Sequence, residues 1–351
     1  MAFSQFCEII YYTTLNEQIR PNSQKAVMKK YSLIAPLALG ASLAVVIPTH
    51  AQLIVSDGFN YPVASGSTAL GGQNGGTGWG TATWTDKGSL SQIVAGSLSY
   101  TDGSGNTLAT SGNSLLAQSS TSSSTEGQRV LPGTFGALAG ANTASPGSLW
   151  VSFLWQGLNT TGSGTGYYRQ ASVMFLAGST ASSGSGKEFL DIGMPNISAA
   201  NVATVNPNIS LFAANGITTA SSPSSLAPLQ STVAGNNGLT DFILMEVTGS
   251  FTAGVADTVN VWIDPTLGGT PTTAPQLTFT GQAMTTVNAI RIQSGGVNAT
   301  YGAVSGQQQV DEINVGDTAI DVEPQAAPEP TALALAAIGG LSLLAWKRKR
   351  F

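Results

Sequence analysis

Short runs of apolar residues that alternate with polar ones at a period of two dominate the middle of the chain, and no window carries a convincing 3.6-residue apolar stripe. Trp150-Val151-Ser152-Phe153-Leu154-Trp155 predicts a mostly buried strand. The same pattern predicts strands over Ala171 to Leu176, Phe189 to Ile192, Asn208 to Ala213, Phe242 to Thr248, Thr258 to Ile263 and Ala289 to Gln293. Asn215-Gly216 and Asn237-Gly238 favour positive φ and mark tight turns. Ser119 to Ser124 and Thr218 to Ser225 read as surface loops rather than as linkers, because neither divides the chain into halves with their own strand sets. Strands at this spacing without helices between them predict an all-β sandwich in one domain.

The two ends break this pattern. Met28-Lys29-Lys30, the apolar stretch Leu33 to Ile47 and small residues at Thr49 and Ala51 form a secretory signal peptide, with cleavage expected between Ala51 and Gln52 by signal peptidase. Residues 1–27 do not resemble an n-region and read as an upstream extension ahead of a true start at Met28. At the other end Thr331 to Trp346 is free of charge, spanning roughly 24 Å as a helix. Lys347, Arg348, Lys349 and Arg350 follow it as a basic stop that resists crossing a membrane. The expected organisation is therefore a signal peptide over 28–51, a sandwich over 52–322, a linker over 323–330, a transmembrane helix over 331–346 and a basic cytoplasmic tail over 347–351.

The order Pro328-Glu329-Pro330, apolar run, basic cluster resembles the PEP-CTERM sorting signal of Gram-negative bacteria. The resemblance implies an exosortase-type processing enzyme as partner. It also implies export through an inner-membrane-anchored intermediate to the cell surface or extracellular matrix.

Trimming the ends changes the available chemistry. The only cysteine is Cys7 and the only histidine His50, so the body has no thiol, disulfide, imidazole base or Cys/His zinc site. Residues 52–330 hold 16 carboxylates against five cations, Lys87, Arg129, Arg169, Lys187 and Arg291, a net charge of −11. So acidic a surface repels phosphate backbones, which excludes nucleic acid as a partner and makes divalent cations natural counterions.

Three further segments are similar to exported proteins with a concanavalin-like or laminin-G-like jelly roll. They are Asp57-Gly58-Phe59-Asn60-Tyr61-Pro62 with the glycine-rich stretch to Trp79 and Trp84, then Asp257 to Pro265, then Val310 to Gly316. The last looks like a closing strand that pairs near the first. That fold hosts lectins, adhesion modules and glycosidases alike, so function has to come from a site.

Paired carboxylates at alternating positions of one strand would mark a jelly-roll glycosidase. Asp311 and Glu312 are adjacent, and Glu188 and Asp191 are three apart, so strand parity sends each pair to opposite faces. Asp321 and Glu323 share a parity but fall in an acidic stretch that reads as solvated linker, and Glu246 stands alone. No Ser-His elbow or phosphate loop is present. The residues thus predict a non-enzymatic surface protein with a structural or adhesive role and a carbohydrate-binding surface for exopolysaccharide at Trp79 and Trp84, with a carbohydrate-active enzyme, glycosidase or lyase, as the alternative. Asp57, Asp264 and Asp311 are weak candidates for Ca2+; no other cofactor is implied.

Overall fold

The computed structural model describes residues 52–64, 66–119, 124–159, 171–178, 188–194, 208–213, 229–234, 238–295 and 306–323. All of them belong to one compact unit, Ala51–Phe351. The signal peptide, the Pro328-Glu329-Pro330 motif, the apolar tail and its basic stop lie outside these residues, as does Asn215-Gly216. Among the described residues no helix is long and apolar enough to cross a membrane.

Among the described residues sixteen strands form two antiparallel sheets, a jelly-roll β-sandwich. The first sheet runs β14-β13-β12-β7-β16-β5-β4-β2, from Leu277–Gln282, Asp257–Ile263, Asp241–Thr248, Ser148–Asn159, Gln307–Gly316, Asn113–Gln118, Ser91–Ala95 and Ser67–Ala69. The second runs β11-β10-β9-β8-β15-β6-β3, from Leu229–Ala234, Asn208–Ala213, Glu188–Met194, Ala171–Leu176, Ala289–Ser294, Thr125–Val130 and Thr85–Lys87. Two short helices, α1 (Phe135–Ala141) and α2 (Ala319–Val322), complete the body.

β1 (Leu53–Asp57) pairs with the second half of β16, Val55 opposite Val315 and Asp57 opposite Ile313, while the first half of β16 pairs with β5. The expected closing strand is therefore present and meets the first one. Where the partner changes, β16 bulges between Asp311 and Asn314, and Glu312 there takes a φ of 49°.

Period-two patterning sorts each strand into two environments. From β7, Leu149, Val151, Phe153 and Trp155 enter the main core, as do Ile243, Met245 and Val247 of β12, Val173 and Phe175 of β8, and Ile290 and Ile292 of β15. The alternate residues of the first sheet, Trp150, Leu154, Phe242, Leu244 and Trp262, build a second cluster on its outer face. Trp150 and Trp262 stack there with centroids 5.7 Å apart. Leu98, Tyr100 and Leu108 from the segment before β5, and Ala319 and Val322 of α2, cover this face.

Glu323 departs from the expected linker. It is buried, and its Oε2 accepts the backbone N–H groups of Gly268 and Gly269 at 2.7 and 3.1 Å. The Asp321 carboxylate is likewise engaged, accepting from Thr318 N and Thr318 Oγ1 ahead of α2.

Candidate functional site

Trp79 and Trp84 are not surface platforms for sugar. Both belong to the main core, 3 % and 1 % exposed. Trp79 Nε1 donates to Ser56 O at 3.0 Å and Trp84 Nε1 to Asp57 Oδ2 at 2.8 Å. They wall in a fully buried ion pair, Arg129 Nη1 to Asp57 Oδ2 at 2.5 Å, and the Arg129 guanidinium sits 4.5 Å from the Trp79 ring centroid. Tyr61 Oη also donates to Asp57 Oδ2, and Phe59 N to Oδ1.

The calcium candidates fare similarly. Asp57 is occupied by this network. Asp311 Oδ2 accepts Ser97 Oγ and Leu98 N, and Oδ1 accepts Glu312 N, which spends the carboxyl on pinning the segment before β5 across the bulge. Burial pushes Asp311 up to about 8. Asp264 Oδ1 accepts the backbone N–H of Phe242 at 2.8 Å. Among the described residues no three His, Cys, Asp or Glu side chains gather as a metal site.

The chemistry that strand parity hid lies on the outer face of the second sheet. β9 is bulged against β8: Leu176 pairs with Glu188, Phe175 with Leu190, and Phe189 is the extra residue. Phe189 and Leu190 both enter the core, so Glu188 and Asp191 come out on the same face despite their odd spacing. Across that face the register sets one row of Thr85, Gln128, Arg291, Met174 and Asp191, and a second of Lys87, Glu126, Gln293 and Ser172.

Arg291 stands at the centre. Its Nε and Nη2 both donate to Gln128 Oε1, at 3.1 and 2.9 Å, which fixes the guanidinium plane. Its Nη1 then faces two carboxylates, Glu188 Oε1 at 3.5 Å and Glu126 Oε2 at 3.6 Å. Lys87 Nζ approaches the other oxygen of Glu126 at 3.7 Å. Arg291, Glu126 and Gln128 are buried, whereas the side chains of Glu188 and Lys87 reach solvent, 23 % and 46 % exposed. Burial raises Glu188 above the usual carboxylate range; Arg291 opposes the shift and Glu126 reinforces it. Glu188 thus stands beside Glu126, which lies between the side chains of Arg291 and Lys87.

No protein-family model matches the sequence, and no curated protein matches it. Similar solved structures include an alginate lyase in complex with an alginate tetrasaccharide, at 10% identity over 74% of this chain and 95% of that one, TM-score 0.42. They include an endo-β-1,4-glucuronan lyase from the fungus Trichoderma reesei, at 14% identity over 75% and 99%, TM-score 0.37. They also include the Ca2+/Man-bound exoplasmic/lumenal domain of VIP36, at 14% identity over 66% and 82%, TM-score 0.38. The expectation of a non-enzymatic protein does not stand, because its ground fails on the second sheet. It rested on testing carboxylates one strand at a time, and both a bulge and a sheet defeat that test: Glu126 and Glu188 come from different strands and share one guanidinium.

Proposed function

We propose that this chain is an exported carbohydrate-active protein that takes a polysaccharide on the outer face of its second sheet and cleaves a glycosidic bond there. The observation that carries this reading is the placement of Glu188 and Glu126 on one arginine, Arg291, itself locked by Gln128. Glu188 gives its proton to the departing glycosidic oxygen while water attacks the anomeric carbon and yields its own proton to Glu126; Arg291 and Gln128, buried beneath, hold the two carboxyls in place. The route outward is the one expected from the ends. The segment before Gln52 directs secretion, and Pro328, Glu329 and Pro330 with the basic stop direct handling by an exosortase-type enzyme.

The test is incubation of the 52–323 body with neutral and acidic polysaccharides. Released reducing ends are measured, and absorbance of an unsaturated product separates elimination from hydrolysis. Cleavage that falls at least about a hundredfold in Glu188→Gln supports the assignment. Retention of polysaccharide without product leaves a carbohydrate-binding module on the same face, and neither binding nor cleavage overturns the reading. Mass spectrometry of the exported protein tests the sorting: a C-terminus within 328–331 is expected, and an intact Phe351 on secreted protein speaks against it.

A further inference from the structure

Asn74 and Gly75 lie in the glycine-rich segment between β2 and β3. Both neighbours of Asn74 are held. Gln73 O accepts the Trp84 N–H at 2.8 Å on one side, and Gly75 O accepts Arg129 Nη1 at 2.9 Å on the other. Asn74 itself is exposed, and among the described residues neither its carboxamide nor the Gly75 N–H has a hydrogen-bond partner.

Packing dictates the residue that follows it. A Cβ at Gly75 would lie 2.7 Å from Tyr61 Cε1, and that ring is buried with its hydroxyl bonded to Asp57. Only glycine fits there. A glycine after an exposed asparagine lets the backbone nitrogen swing onto the side-chain carbonyl carbon, because no Cβ crowds the approach and the N–H has no bond to break.

We propose that Asn74 is a site of spontaneous deamidation, through which the segment's hold on Arg129 loosens with age. The Gly75 nitrogen attacks Asn74 Cγ and gives up its proton, and the side-chain nitrogen leaves with that proton as ammonia. A five-membered succinimide remains. Water opens this ring at Cγ to give aspartate, or at the backbone carbonyl to give isoaspartate, whose main chain runs through Cβ and Cγ and is one methylene longer. Water enters and ammonia departs, so the step needs neither oxidant nor cofactor. The extra methylene falls between two anchored carbonyls, those of Gln73 and Gly75, and the segment has to shift against Trp84 or Arg129. Arg129 Nη2 already lacks a hydrogen-bond partner, so a lost bond to Gly75 O weakens the hold on a guanidinium whose charge Asp57 needs. The site is separate from Arg291 and independent of any cleavage activity.

The test is incubation of the full chain at mildly alkaline pH, with peptide mass spectrometry and thermal unfolding on the same samples at intervals. The peptide that holds Asn74 should gain the mass that exchange of NH2 for OH brings, ahead of those that hold Asn60, Asn106 and Asn113, with isoaspartate among its products. The Tm should fall by about 4 °C as conversion completes, as expected for one lost hydrogen bond to a charged group. Asn74→Gln, at an exposed position, should start at the wild-type Tm and keep it. Asn74→Asp should also start there, since it brings the charge without the methylene. An Asn74 that stays intact while the other asparagines convert overturns the proposal. So does conversion that leaves the Tm unchanged, or a decline in Tm that Asn74→Gln does not lessen.

Discussion

The two sheets turn very different outer faces away from the shared core. On the first, β7, β12 and β13 present Trp150, Leu154, Phe242, Leu244 and Trp262, which the chain's own 98–108 segment and α2 seal off. On the second, β3, β6, β15 and β9 present Lys87, Glu126, Gln128, Arg291 and Glu188, wired to one another by ion pairs and hydrogen bonds. One reads as a second core, and the other as a charged network that a bulge completes. The difference teaches that outward aromatics here are covered by the chain's own segments, whereas outward charges are matched to one another across neighbouring strands.

Breaking the contrast should be most costly where charge has been brought inward. Arg129→Met leaves Asp57 buried without its cation and should cost about 3–5 kcal/mol in urea unfolding, with part of the loss recovered in the Asp57→Asn double variant. Trp262→Ala removes half of the stacked pair on the self-covered face, and about 3 kcal/mol should be lost without any change in sugar cleavage.

Asp311, which pins the covering segment, sharpens the comparison through pH. Its folded pKa of about 8 lies above the unfolded value, so the native state holds a proton that the unfolded chain has released. Its contribution is therefore complete at acidic pH and declines as pH rises toward about 8. Asp311→Asn should flatten that decline in a series of unfolding midpoints, by on the order of 1–2 kcal/mol across the window. The smallest stability effect belongs to the reactive face. Glu188→Gln should shift unfolding by less than about 1 kcal/mol, because its side chain is partly solvated, while abolishing cleavage. A large stability loss there would make Glu188 structural.

Much of the fold is legible in the sequence. Ala171–Leu176 and Asn208–Ala213 are read to the residue, and Asp257–Ile263 to within one, because each is a short apolar-rich run of strand-forming residues. The short strands β2 and β3, three residues each, leave no such trace. Gly238 adopts the positive φ, 70°, that its Asn-Gly pair suggested. The candidate site is much less legible. Parity counting fails at Phe189, since a bulge is a departure from the very period on which counting depends. The partnership of Glu126 with Arg291 rests on long-range pairing between β6 and β15, which no local pattern encodes. Trp79 and Trp84 mislead for a related reason: glycine-rich surroundings look like a surface loop, whereas Gly76 and Gly78 are there to let the backbone pass close to β1. A Cβ at Gly78 would lie 1.9 Å from Ile54 O.

β16 touches β7, β5 and β1, and it is the last strand of the body. An arch whose keystone is laid at the end stands open until then: β1, made first, has no edge to join until some 250 residues later its mate emerges. Such a chain stays unlatched for nearly the whole of its synthesis, and it locks only when almost all of it has been made.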